Sequence, residues 1–307
     1  MPHNFLGVLI LFAPILFWTS LGLVIVRFIL PPALEEKRHH YSDLLVNYVA
    51  NLATPLLIIS TFSRLNMSLN ETTQVMLAGF MYLLFTVIFS FIILRIHNKN
   101  FNLTAHGMIF GNVGNLGLPV SYYLFHSEGL EYAISFFVVL VSAQFFLTPI
   151  FLGDKSFSLR QFFKVPVVIA TCIGLIIYFT NFHLSNFIYR VIVLIGSTAI
   201  PLSLISLGMT LSNIYALLSR EIFIFSIYRI FIGIVTAFLV NLVFGFEGII
   251  QNVIWCMGMM PTAVFCYLFA HKYKKNESFM AGLVFGSTVL SFILLPIALA
   301  VINLELQ

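Results

Sequence analysis

The sequence predicts an all-α polytopic membrane protein of ten transmembrane helices, arranged as two inverted five-helix repeats. Three observations carry that reading. Hydrophobic residues fill 60% of the 307 positions and charged residues 8%, giving a mean hydropathy of +1.04. That is more apolar side chain than a soluble domain of this size can bury. Apolar runs long enough to cross a hydrocarbon core, which takes roughly 20 helical residues, recur along the whole chain. Two proline-centred stretches of the first half then return in the second half at a nearly constant offset.

In order, the expected spans are 5–29, 42–63, 73–95, 103–126, 131–152, 163–180, 188–211, 222–244, 250–271 and 279–301. The first run follows no basic stretch and precedes no small-residue cleavage site, so it reads as a span and not a signal peptide. Basic residues orient the set. The loops after odd-numbered spans carry Arg27, Lys37, Arg38, Arg95, Lys99, Lys155, Arg160, Lys164, Arg220, Lys272, Lys274 and Lys275. The opposite side carries Arg64 and Arg190, and Arg229 falls within a span. Cytoplasmic loops are the basic ones, which places both termini on the extracytoplasmic side of a plasma membrane. Scattered in short loops, these charges do not make a nucleic-acid surface. Cys172, Cys256 and Cys266 all lie in apolar segments without metal-ligand spacing, and read as packing residues.

The repeat rests on two alignments. Asn51-Leu-Ala-Thr-Pro55-Leu-Leu-Ile-Ile-Ser60 matches Ser197-Thr-Ala-Ile-Pro201-Leu-Ser-Leu-Ile-Ser206. Gln144-Phe-Phe-Leu-Thr-Pro149-Ile matches Ser291-Phe-Ile-Leu-Leu-Pro296-Ile. The offsets are 146 and 147 residues. Five spans is an odd number, so the second copy must enter from the opposite face, an arrangement typical of secondary transporters. The domains are accordingly 1–152 and 153–307.

Span four contains Gly111-Asn112-Val113-Gly114-Asn115-Leu116-Gly117-Leu118-Pro119. Glycine, asparagine and proline at this density interrupt a helix, and interrupted backbone persists at membrane depth only where it is buried in protein or lines a cavity. The repeat requires a partner break in span nine, and Gly258-Met-Met-Pro261-Thr262 stands in the right position.

Taken together, the Asn112 to Pro119 run, the Pro55 and Pro201 stretches, the Met260-Pro261 break and the Ser291 to Pro296 ending resemble the auxin efflux carrier family. That resemblance implies a fold like the bile-acid sodium symporters. Helices one, two, six and seven would form a scaffold, and helices three to five and eight to ten a transport domain with broken helices four and nine crossing. This chain has only residues 153–162 where plant members carry a long hydrophilic loop, so auxin itself is not carried over as substrate.

Two half-helix N-termini meeting at a crossing make a receptor for a carboxylate. The expected substrate-binding residues are Asn112, Gly114, Asn115, Pro119, Pro261 and Thr262. Asn112 and Asn115 supply amides to the substrate; capping the broken helix ends alone is the alternative, and the two roles are compatible. No Asp or Glu falls clearly inside a span, so a carboxylate relay for a coupling ion is not expected. Arg229 reads as snorkelling to the interface or bonding a helix end, with attraction of an anion from the cytoplasm as the alternative, and His106 as a hydrogen-bonded structural histidine.

The expected function is a secondary transporter of a small organic anion, of the carboxylate or dicarboxylate class, working by alternating access. The alternative is a membrane-embedded ligand sensor with the same fold and no net flux. No catalytic constellation is visible, and neither a cofactor nor a metal is expected. The expected partners are the anion and the lipid bilayer, with a coupling proton or sodium ion and a homodimer left open.

Overall fold

The structure is a computed structural model and describes residues 5–29, 35–214 and 219–305. Among these it is helical throughout, with turns between helices. The helices are α1 (Phe5–Val24), α2 (Glu35–Tyr48), α3 (Thr54–Phe62), α4 (Leu69–Ile96), α5 (Phe101–Ile109), α6 (Leu118–Phe151) and α7 (Leu159–Phe162). They continue as α8 (Pro166–Thr180), α9 (Asn186–Gly196), α10 (Ala199–Ile214), α11 (Arg220–Phe244), α12 (Gly248–Gly258), α13 (Val264–Lys272) and α14 (Glu277–Glu305).

Local chemistry accounts for the ends. Ser68 and Glu71 form a reciprocal capping box at the start of α4. The side chains of Asn100, Ser185 and Ser219 cap α5, α9 and α11 by accepting backbone N–H groups. Pro166 opens α8, where its missing N–H costs nothing. Pro55 follows a wider π turn, Val49–Ala53, that joins α2 to α3. Pro201 sits in the first turn of α10, just after the chain breaks at Ser197–Thr198. The two proline stretches thus mark two interrupted helices, linked by Tyr48 Oη and Thr198 Oγ1 at 3.1 Å.

Six continuous stretches are long and apolar enough to cross a membrane: Asp43–Phe62, Leu69–Ile96, Val113–Phe151, Asn186–Met209, Arg220–Phe244 and Glu277–Ile297. Shorter apolar helices are Ala13–Phe28, Pro166–Thr180 and Gly248–Gly258. The difference from the ten expected spans has a physical origin. Expected span nine is split between α12 and α13, of 11 and 9 residues. Expected span six is the 15-residue α8. Expected spans four and five run together through α6. Yet α6 is not straight, because His126 has φ 56° and ψ −148°. A straight helix would hold Ser121 and Gly129 about 12 Å apart, whereas a Cβ built on Gly129 would lie 3.0 Å from Ser121 O. The chain therefore doubles back at His126.

Packing separates two groups. α1 lies along α10, and α3 lies along α8 and α9. These contacts are backbone-close: a Cβ on Gly208 would fall 2.0 Å from Thr19 O, and one on Gly22 would fall 2.2 Å from Ile205 O. In the other group α4 packs on α6, α11 on α14, α12 and α4, and α12 on α6. The surface is apolar and the interior partly polar. Leu77, Phe80 and Leu84 of α4 and Phe231, Phe238 and Leu242 of α11 point outward, as does Cys172, while Thr86, Ser90, Gln144, Thr236, Ser287 and Thr288 are buried. Lipid, not water, suits such a surface. Cys172 is therefore not an interior packing residue as expected, whereas Cys256 and Cys266 are buried. Beyond the helices, Ser156 and the Tyr273 hydroxyl, which donates to Asp154 Oδ2 at 2.8 Å, hold the Asp154 carboxyl below the usual carboxylate range.

Candidate functional site

The two interrupted stretches meet. Between α5 and α6 the chain is extended at Phe110, leaves helical geometry at Asn112, and resumes as a π turn over Val113–Gly117. Between α12 and α13 it is open from Met259 to Ala263. Gly111 and Thr262 form an antiparallel bridge at this point. Asn112 N donates to Pro261 O at 2.6 Å, and Ala263 N donates to Phe110 O at 3.0 Å.

The break orphans carbonyls at the ends of α5 and α12, and side chains from elsewhere satisfy them. Thr262 Oγ1 donates to Gly107 O at 2.9 Å, and Cys266 Sγ adds a second bond, at 3.2 Å, to His106 O, which already accepts Phe110 N. Ser291 Oγ, from α14, donates to Met259 O at 2.7 Å. Ser287 Oγ accepts a hydrogen bond from Thr262 N at 3.0 Å and donates one to Leu283 O at 2.6 Å. The main-chain bonds run both ways between the halves, while the side chains that complete both breaks come from the second half.

Asn112, Gly114 and Asn115 face a cavity of about 30 Å³ between the crossing and the wall formed by Ala50, Thr54 and Val167. Phe137, Gln144 and Phe265 close it. Asn112 is 4% exposed with Nδ2 unpartnered, and Asn115 is 9% exposed. The Asn112 side chain makes no capping bond to the following turn, although its carbonyl accepts Leu116 N and Gly117 N. The structure brings these three expected residues together. It puts Pro119 in the first turn of α6 and Pro261 and Thr262 inside the crossing, away from the cavity wall. Pro261 O and both polar groups of Thr262 are occupied by the bonds that hold the crossing.

Two sequence expectations are overturned. Arg229 does not snorkel: it is 0% exposed, and Nε, Nη1 and Nη2 all lack a hydrogen-bond partner. A Cβ on Gly111 would lie 2.3 Å from its Nη2, so the guanidinium sits directly behind the crossing. His106 is buried, but neither ring nitrogen is hydrogen-bonded. Position along the span misled the reading of Arg229. Periodicity would have corrected it, because Ser226, Arg229, Gly233, Thr236 and Ala237 share one face of α11. That face of small and polar residues is the one packed inward.

The sequence model of the membrane transport protein family, that of the auxin efflux carriers, matches residues 8–152 and 151–299. The chain belongs to this family. An uncharacterized transporter of Methanocaldococcus jannaschii is 26% identical over 280 residues, covering 85% of this chain and 89% of that protein. An uncharacterized transporter of Methanothermobacter thermautotrophicus is 29% identical over 192 residues, covering 61% and 63%. The carrier is a multi-pass membrane protein of a transport family, and family membership points to transport and not to catalysis.

Proposed function

We propose that this carrier is a secondary transporter that moves a small organic anion, of the carboxylate or dicarboxylate class, across the plasma membrane by alternating access. The observation that carries the proposal is the Gly111–Thr262 bridge, which sets two helix starts, Val113 and Val264, beside one cavity with the Asn112 and Asn115 amides. The first amides of such helices have no partner in their own helix and sit at the positive end of its dipole. A carboxylate is the ligand that this arrangement suits.

The same reading extends to architecture: ten spans, in repeats 1–152 and 153–307, with both termini extracytoplasmic. The packing supports it. The repeat pairs span one with six and span seven with two, and α1 along α10 has its counterpart in α8 along α3. Likewise α4 on α6 has its counterpart in α11 on α14. The turn at His126 supplies the boundary that spans four and five need. In this proposal α1, α2–α3, α8 and α9–α10 are the scaffold, and the rest move. A cavity of about 30 Å³ holds a water and not a carboxylate, so loading requires the Ala50–Thr54 wall and the crossing to part.

The test is uptake of labelled malonate, succinate and benzoate into proteoliposomes by wild type and Asn115→Ala. Wild type is expected to accumulate at least one of them, and the variant to need about tenfold more substrate for half-saturation, the loss of one hydrogen bond to a charged group. Unchanged transport by the variant removes Asn115 from the site. Ligand-dependent stabilisation without flux under any ion gradient establishes the sensor reading instead.

A further inference from the structure

Arg229 is the one Lys, Arg, Asp or Glu that is fully buried among the described residues, and no guanidinium nitrogen has a partner. A desolvated, unpaired charge is strongly unfavourable, and a fold keeps one only where something compensates it. No buried carboxylate is present among the described residues to do so. The surroundings of the guanidinium identify where compensation comes from. Nη2 faces Gly111, whose backbone lines the Asn112–Asn115 cavity on its other side. Nη1 faces Gly233, one turn along α11, over which Gly258 O of the second break also lies: a Cβ on Gly233 would be 3.1 Å from Nη1 and 1.8 Å from that oxygen. Glycine at 111 and 233 is what lets the charge come this close to both breaks, since a side chain at either would occupy its space.

We propose that Arg229 is the counter-charge of the anion site, acting through the single layer of backbone at Gly111 to hold a carboxylate in the Asn112–Asn115 cavity. This deepens the carboxylate reading given above and rests on it. Arg229 is a positioning residue, since the crossing lies between it and the ligand. One fixed positive charge balances a monocarboxylate completely and leaves a dicarboxylate one negative charge in excess.

Ordinary structural arginines and this one behave oppositely on removal. Taking away a paired arginine destabilises the empty protein; taking away an uncompensated charge relieves it. The experiment is thermal unfolding of detergent-solubilised wild type, Arg229→Gln, Arg229→Lys and Asn115→Ala, titrated with acetate, malonate, succinate and benzoate, with malonamide as neutral control. Wild type is expected to be stabilised saturably by at least one carboxylate and not by malonamide. Arg229→Gln should unfold at the same or a higher temperature without ligand, yet bind that carboxylate at least about tenfold more weakly. That is the scale of one unit charge acting through a few atoms of low-dielectric protein. Arg229→Lys should stay within a few-fold of wild type. An unchanged carboxylate response in Arg229→Gln overturns the proposal, and so does a fall of several degrees in the unfolding temperatures of both empty Arg229 variants. If Asn115→Ala loses the response while Arg229→Gln keeps it, the anion site stands and the counter-charge falls. If no carboxylate stabilises wild type, both proposals fall together.

Discussion

Thr262 and Ser287 are small residues with tasks that their size conceals. Thr262 closes α5 through Gly107 O, and Ser287 takes up the one backbone N–H of the second break that points away from its partner strand. Both groups are fully buried, so a lost bond leaves a desolvated polar group behind. Thr262→Val and Ser287→Ala should each cost about 1–3 kcal/mol, seen as a drop of several degrees in thermal midpoint. Ser68→Ala, at an exposed cap, should cost about 1 kcal/mol. Equal losses in all three would show that the crossing is no more demanding than a surface helix end. Asn112 and Asn115 were legible in the sequence because amides and glycines are conspicuous in an apolar run. Thr262 was legible only as a hydroxyl beside a proline, and its bond to Gly107 spans 155 residues, a separation no local pattern encodes. Ser287 was not legible at all, since its task comes from what α14 is packed against, whereas the inward position of Arg229 was legible in the periodicity of α11 and was missed.

At the scale of elements, glycine decides which helices lie closest. Gly208 and Gly22 bring α10 and α1 to backbone contact, and the atoms opposing them are carbonyl oxygens and amides, which cannot rotate aside. Gly208→Val should therefore cost more than the 1–3 kcal/mol usual for overpacking, and reduce the yield of folded protein in detergent. Gly174→Ala is the comparison: its Cβ would meet only side-chain atoms of Phe62, the nearest 3.0 Å away, and no main chain. Size-exclusion profiles of the two variants check the contrast; similar profiles would mean that the α1–α10 contact tolerates separation. Helix ends were the most readable elements. The expected bounds 73–95, 188–211 and 222–244 fall within a few residues of the helices found, because apolar length, caps and prolines are local signals. The reversal at His126 was readable only as a gap between two expected spans. A positive φ on histidine leaves no mark in hydropathy.

For the whole molecule, an apolar exterior follows directly from composition, membership of a transport family shows only in the order of the motifs and in the family match, and the arrangement of helices depends on pairings between distant segments. The proposed repeats rest on four prolines, of which Pro55, Pro201 and Pro149 lie in the first or last turn of a helix while Pro296 lies inside α14. The proposed topology makes a direct prediction. Cysteines introduced at Lys155 and Asn98 should react with a membrane-impermeant maleimide only from the cytoplasmic side. Cysteines at Asn66 and Asn181 should react only from outside, all in a background with Cys172 replaced. Labelling of Lys155→Cys and Asn181→Cys from the same side would remove the odd number of spans per repeat, and with it the inverted arrangement.

The bridge between Gly111 and Thr262 is made by main-chain atoms. Ordinary substitution cannot delete a peptide N–H, other than by proline, so these main-chain bonds survive changes in the cavity wall around them. Ala50, Thr54, Phe137, Val167 and Phe265 can change in size and polarity while the two helix starts stay in register. On the proposed function, a lineage built on this frame alters what it carries by editing one wall, without passing through an intermediate that has lost the means of holding a ligand.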